Sequence, residues 1–206
     1  MIYVDPRIGS GHYVELLNAR GVEAAKRKMQ FGDIAFVGNG PGQQVMIGIE
    51  AKKPGDLISS LISKRLTARQ LPGLMRTYDI IYLAILGRMK AGNTGGISTA
   101  TFGHWSEFPT KLSWAQLQGM LSTLRHHAKV HVINFDRDED FVTWIMIEYK
   151  RWQREWESHS SHIGLRVDQR CPPARSSQHR SHLFCRGLGT TPLEPWARPS
   201  LRLWNW

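Results

Sequence analysis

The sequence predicts an α/β fold, a mixed central β-sheet flanked by helices, and three observations carry that expectation. Short β-type runs alternate with helical patterns along the first three quarters of the chain. One run, Ile80–Leu86, is apolar throughout, as a strand buried on both faces of a sheet must be. With 206 residues, 41% hydrophobic and 21% charged, the chain can build one domain with a core and is not a wholly disordered polymer.

Taken in order, residues 2–5 predict a strand and residues 13–20 a helix. Residues 33–37 and 45–52 predict two strands around the turn Gly38-Asn39-Gly40-Pro41-Gly42. That loop resembles a phosphate cradle only superficially, because no Lys-Ser or Lys-Thr follows and no helix opens there. A helix is expected over 56–65, where Leu57, Ile58, Leu61 and Ile62 share one face. A second follows over 68–78, kinked or tolerated at Pro72. Beyond the buried strand, residues 88–110 read as a long Gly/Thr/Ser-rich connection that could lie along DNA, with Trp105 stacking on a base. A helix over 114–125, a strand over 130–135 and a helix over 139–156 complete the body. The last helix carries Phe141, Trp144, Ile145, Tyr149, Trp152 and Trp156 down one side, the pattern of core packing. Asp136, Asp138 and Asp140 do not form a calcium loop: Phe141 and Ile147 stand where that loop needs Gly and Glu, and acids before a helix suit its dipole.

Charge points to the partner class. The 27 Lys+Arg against 17 Asp+Glu leave a formal +10, which favours a polyanion, nucleic acid first. No apolar run approaches the roughly 20 residues of a bilayer span, so no membrane partner is expected. The N-terminal residues show neither a basic nor an apolar signal region, which implies a reducing compartment: the cytoplasm of a bacterial or virus-infected cell, or the nucleus of a eukaryotic one. Composition changes sharply after Glu157. Residues 158–206 carry seven arginines, no lysine, two acids and five of the ten prolines, so half the excess charge sits in the last quarter. We read 1–157 as the folded domain and 158–206 as an irregular, largely disordered tail. The only cysteines, Cys171 and Cys185, flank His179 and His182 at a spacing that matches no common zinc finger.

The strongest chemical signal is Gly32-Asp33 together with Glu50-Ala51-Lys52. If the hairpin turns at Pro41-Gly42, paired residue numbers sum to about 83 and Asp33 lies across from Glu50. Along the second strand Val45, Ile47 and Ile49 share the inward face. Met46, Gly48, Glu50 and Lys52 share the opposite one, so two carboxylates and an amine are presented together. Such a set suits metal-assisted phosphodiester hydrolysis: Asp33 and Glu50 as ligands of Mg²⁺ or Mn²⁺, which takes one or two protein carboxylates and keeps several waters, and Lys52 beside the nucleophile or the phosphate. The plain alternative is a salt-bridged pair on a solvated strand.

The surrounding residues extend the pattern. Glu50-Ala51-Lys52-Lys53-Pro54-Gly55-Asp56-Leu57, Ser60, Lys64-Arg65-Leu66 and Gln70 resemble the signature of the XPF-type structure-specific endonucleases, G-D, then E-R-K-x-x-x-D, then S, R-L and Q. Val4-Asp5-Pro6-Arg7 resembles that family's opening, and the similarity runs over about residues 1–155. The resemblance implies a restriction-endonuclease-like core. It also implies an Mg-dependent endodeoxyribonuclease acting on branched, flapped or forked DNA with single-strand/double-strand junctions, in repair or recombination. By position it makes Asp33, Glu50, Lys52 and Asp56 catalytic, with Asp5 a further acid at the metal. Arg65 and Gln70 match polar family positions on the following helices that brace the site or meet DNA phosphate, and Lys53 and Lys64 join them as DNA contacts. It further implies a homodimer or heterodimer through this domain. Helix capping alone would explain Asp56, and a strand end would explain Asp5. The chain departs from the signature at Ala51, where the family has Arg, and at Ile8, where it has an acid. No helix-hairpin-helix region is recognisable after residue 157. The rivals are a non-catalytic DNA-binding or scaffolding subunit and a Holliday-junction-resolvase-like nuclease.

Overall fold

The protein is described by a computed structural model over residues 1–163, apart from 8 and 102. Most of the expected tail, with Cys171, His179, His182 and Cys185, lies outside the described residues. Among the described residues no helix is long and apolar enough to cross a membrane.

In chain order the first half comprises β1 (Ile2–Val4), α1 (Tyr13–Ala19), β2 (Ala24–Lys26), β3 (Ile34–Asn39), β4 (Gln44–Lys52), α2 (Pro54–Ile62), a π turn (Leu66–Gln70) and α3 (Leu71–Thr77). Then come β5 (Ile80–Leu86), β6 (Met89–Ala91), β7 (Ile97–Thr101), β8 (His104–Glu107), α4 (Trp114–His126), β9 (His131–Phe135), α5 (Asp138–Trp152) and a short 3₁₀ segment (Trp156–Ile163). Six strands form one sheet in the order β2-β1-β3-β4-β5-β9. β3 is antiparallel to β1 and β4, while the β1–β2, β4–β5 and β5–β9 pairs are parallel.

Both faces of this sheet are covered, which is why β5 reads as an unbroken apolar run. Tyr82, Ala84 and Leu86 point to one side, where they join Ile47 and Ile49 of β4 beneath α1 and α5. Ile81, Leu83 and Ile85 point to the other, beneath α2, α3 and α4. The aromatic stripe of α5 goes into the first of these cores: Phe141, Ile145 and Trp152 are buried, and Tyr13 meets Phe141 edge-on. Each such side chain contributes roughly 1.5–3 kcal/mol on burial.

The β3–β4 register is the one the turn predicts. Ile34 lies opposite Ile49 and Asn39 opposite Gln44, and the turn closes through the Gly40 N–H on the Gln43 carbonyl at 2.8 Å. Elsewhere the structure corrects the expectation. The alternative of a solvated strand face fails beyond Met46, which is exposed: Gly48, Glu50 and Lys52 are buried, α3 lies against β4, and Tyr78 packs on Gly48, where a Cβ would overlap the tyrosine ring. Residues 88–110 are not a bare connection. β6, β7 and β8 form a separate antiparallel sheet, anchored by buried Ile97 and by the Trp114 N–H on the Gly95 carbonyl. Their three to five residues per strand were too few for alternation to stand out. The helix expected over 56–65 opens earlier, at Pro54, whose fixed φ suits a first helical turn. It ends at Ile62, and Lys64 turns the chain with φ +57. Pro72 neither breaks nor simply bends the next helix; lacking an N–H, it is preceded by the π turn and sits at the start of α3. α5 stops at Trp152 rather than 156 because the end of β3 captures the chain there. The Asn39 amide donates to the Gln153 and Arg154 carbonyls, and the Gln153 amide donates to the Val37 carbonyl.

The two glycine environments predict opposite outcomes for the same substitution. Gly48→Ala must displace Tyr78 and lowers unfolding free energy by about 1–3 kcal/mol. Gly119→Ala, in α4 with open space around it, raises it by roughly 0.5–1 kcal/mol. Urea unfolding midpoints of the two variants check both signs.

Candidate active site

The C-terminal end of β4 opens into a cleft of about 840 Å³, lined by Asp33, Glu50, Lys52, Asp56, Arg65 and Gln70 among others. Asp33 enters from the chain just before β3, Glu50 and Lys52 from β4, Asp56 from the first turn of α2, and Gln70 from the end of the π turn. The regular β3–β4 pairing stops at Ile34 opposite Ile49, and the Asp33 N–H donates to that same Ile49 carbonyl at 2.8 Å, one residue out of register, which leaves Asp33 close enough to Glu50 for their charges to repel. Gly32, with φ +83, makes the bend that admits Asp33. The Tyr78 hydroxyl fixes that bend by donating to the Phe31 carbonyl at 2.8 Å.

Glu50 and Lys52 are only 6% and 7% exposed, so their charges must be satisfied internally. Lys52 Nζ stands 2.9 Å from Glu50 Oε1, and Gln70 Nε2 donates to the same oxygen at 2.8 Å. The Ala51 N–H donates to Asp33 Oδ2 at 2.8 Å. Burial pushes the Asp33 carboxyl up and the Glu50 charge adds to the effect; the Ala51 N–H and Lys52 oppose it, leaving a pKa of about 6.

These observations place the fold and the residues of one family together. The model of the ERCC4 domain family matches residues 4–147. The chain belongs to the ERCC4 domain family. Among solved structures it is similar to XPF from Aeropyrum pernix, with a TM-score of 0.54 and 17% identity over 73% of this chain and 65% of that one. XPF from Aeropyrum pernix in complex with DNA matches with a TM-score of 0.52 and 17% identity, over 72% of this chain and 64% of that one. This chain therefore spans just under two thirds of the solved chains it matches, and at that identity the likeness is one of fold. Curated proteins yield no match.

Not every expected residue of this ERCC4 domain meets the cleft in the expected way. Asp5 is fully buried and its carboxylate is already spent. Arg7 binds it through Nε at 2.7 Å, through Nη2 at 2.8 Å and through its backbone N–H at 2.9 Å, and the Met29 N–H donates to it at 2.9 Å. Burial alone would raise the Asp5 carboxyl, but the Arg7 hydrogen bond, the Met29 and Arg7 backbone N–H groups and the Arg7 charge outweigh it and hold the pKa at about 2. Asp5 thus tethers Arg7 beside the cleft, and Arg7 also donates to the Met29 carbonyl at 3.0 Å. Asp56 is exposed in the first turn of α2, whose N-cap is Lys53, so it lines the cleft without capping the helix. Arg65 and Lys53 line the cleft as exposed cations; exposed Lys64 does not line it. Of its two expected roles, bracing the site or meeting DNA, Gln70 takes the first: its amide nitrogen donates to Glu50, and its Oε1 is buried with no partner. Three further lining residues escape the sequence reading: Arg69, His12 and Asp138, the last two 3.8 Å apart. Only Arg69, four residues from Arg65, carries a sequence signal.

Among the described residues no cluster of three or more His, Cys, Asp or Glu is placed to hold a metal. The acid pair nevertheless fits a divalent cation. Asp33 Oδ1 and Glu50 Oε2 accept no hydrogen bond from the described residues, and a bound cation would offset both the burial and the like charge that raise the Asp33 carboxyl.

Because the folded-state pKa of Asp33 exceeds its value in the unfolded chain, ionising it opposes folding: stability falls as pH rises from about 4 through about 6. Asp33→Asn keeps an acceptor for the Ala51 N–H and removes the repulsion, so in chelator at pH 8 it stabilises the fold by about 1–3 kcal/mol. The gain disappears below pH 4, and Mg²⁺ raises the melting temperature of the parent but not of the variant. Thermal melts across pH, with and without Mg²⁺, read all three effects.

Proposed function

We propose that this ERCC4 domain is a divalent-metal-dependent endonuclease that hydrolyses phosphodiester bonds in branched, flapped or forked DNA during repair or recombination. One observation carries the reading: Asp33, Glu50 and Lys52 converge in one cleft, with an unengaged oxygen on each acid and the ammonium of Lys52 locked beside them. A site kept only for binding would gain nothing from holding two acids against each other where phosphate must approach. Mg²⁺ or Mn²⁺ held by Asp33 and Glu50 would polarise a phosphoryl oxygen and lower the pKa of its water. Lys52 offsets negative charge that develops on the phosphate, at a position fixed by Glu50 and by the end of β4. Gln70 keeps the Glu50 carboxylate in one orientation, while Arg7, Arg65, Arg69 and Lys53 draw the DNA backbone to the rim of the cleft. The match to an XPF structure solved with DNA supports nucleic acid as the substrate. Pairing with a second copy or a related subunit belongs to the same proposal and rests on the resemblance.

Labelled flap, fork, four-way and linear duplex DNA, incubated with Mg²⁺ and with chelator, test the reading. Cutting is expected with Mg²⁺ only and preferentially at junctions. Lys52→Ala and Asp33→Asn each lower the rate by roughly 10²-fold or more while the fold is retained. Binding without metal-dependent cutting would support a scaffolding subunit instead, and cutting that survives both substitutions would place the chemistry elsewhere.

A further inference from the structure

A second cavity, of about 280 Å³, lies beside the cleft, and its lining includes Trp105, Trp114, Arg88, Arg125, Asn134 and Asp136. The two cavities follow one another along the chain. Leu86 lines the first and Gly87 and Arg88 the second, while Asp138 lines the first and Asp136 the second. Both sit at the C-terminal ends of parallel strands, where open α/β sheets place ligands, with Pro54 packed against Gly87.

The chemistry of the second cavity is aromatic and cationic. Trp105, on β8, keeps 40% of its surface exposed. Lys90 Nζ stands 4.4 Å from its ring centroid and the Arg88 guanidinium 5.7 Å. Arg88, Lys90 and Arg125 form no ion pair with the described residues, and Asp136 is the one acid in the lining. A partly exposed indole with Lys90 and Arg88 over its ring, and Arg125 in the same lining, suits a flat ring tied to a negative charge, the base taking the indole and the cations turning to the phosphate. The volume admits one nucleotide and no duplex, and a duplex hides its base faces in the stack.

We propose that this cavity is a subsite for one nucleotide of an unpaired DNA strand, its base stacked on Trp105 and its phosphate met by Arg88 and Arg125. The inference rests on the nuclease reading for its substrate and sharpens it: a strand leaving the catalytic cleft past Leu86 would be held only where it is single. Junction preference would then arise within this domain.

Binding measured in chelator separates the two proposals, because no cutting is needed. The full chain is titrated, by fluorescence anisotropy, with end-labelled oligothymidine, with the same strand made abasic, and with a blunt duplex. Trp105→Ala is expected to weaken oligothymidine binding by about 5- to 100-fold, with Trp105→Phe restoring most of it, and to leave abasic-strand and duplex binding unchanged. Arg88→Ala with Arg125→Ala should weaken both single strands and reduce the salt dependence. Oligothymidine binding by Trp105→Ala equal to the parent would overturn the subsite, and so would an equal loss on all three DNAs. The expected pattern in a chain that cuts nothing would keep the subsite and remove the nuclease reading; cutting with no effect of Trp105→Ala would do the reverse.

Discussion

The structure is organised around one costly placement: two carboxylates facing each other, with a lysine, at the end of a strand covered on both faces. Nothing about a sheet interior favours this. An ionised carboxylate out of water is expensive, and two of them repel. The cost is met locally by the Lys52 ammonium and the Gln70 amide on Glu50 and by the Ala51 N–H on Asp33. It is not met completely, because Asp33 remains raised to about 6. Burial leads in raising it and the Glu50 charge adds to it, so the ionised pair is held at a cost in stability.

Holding that placement requires a mechanical chain running through residues with no chemistry of their own. Gly48, two positions before Glu50, leaves the strand surface bare, so the Tyr78 ring can lie on it. The Tyr78 hydroxyl then reaches the Phe31 carbonyl and pins the Gly32 bend from which Asp33 projects. On the other side, the missing N–H of Pro72 accompanies a π turn that ends at Gln70, from which the amide reaches Glu50. Asp5 belongs to the same scaffold: saturated by Arg7 and Met29, it acts through the position of Arg7 and of the segment between β2 and β3. Both ends of the acid pair are thus held by contacts made far away in sequence.

That distance explains what could be read beforehand. The hairpin register from Ile34 to Asn39 was legible because a turn and a period of two suffice to fix it, whereas the out-of-register step that places Asp33 near Glu50 was not. β5 was legible because burial on both faces leaves only apolar residues. The burial of Glu50 and Lys52 was not, since it depends on the π turn and α3 folding back against β4, and a polar strand face looks the same whether covered or wet. The neutralisation of Asp5 was hidden for the same reason: Arg7 is close by in sequence, but the Met29 N–H arrives from 24 residues away. β6, β7 and β8 failed to register because short strands among glycines carry little periodicity.

The electrostatic layout of the cleft gives the basic composition a function that net charge alone cannot assign. Arg65, Arg69 and Lys53 line the cleft as exposed cations with no ion pair among the described residues, whereas Glu50 is buried at the end of β4 and Asp33 is half-buried beside it. On the proposed reading, a polyanion would be attracted by these cations and repelled by the acid pair until a divalent cation reversed the sign there. Positive charge on the protein gathers DNA but does not cut it. If the site works as proposed, the acid pair, by repelling phosphate until metal is bound, would make the final approach of the backbone conditional on the ion that activates it. A cleft lined by lysine and arginine throughout would bind DNA more tightly and lose that condition, which is the physical reason to expect the acids to be kept at a cost in stability.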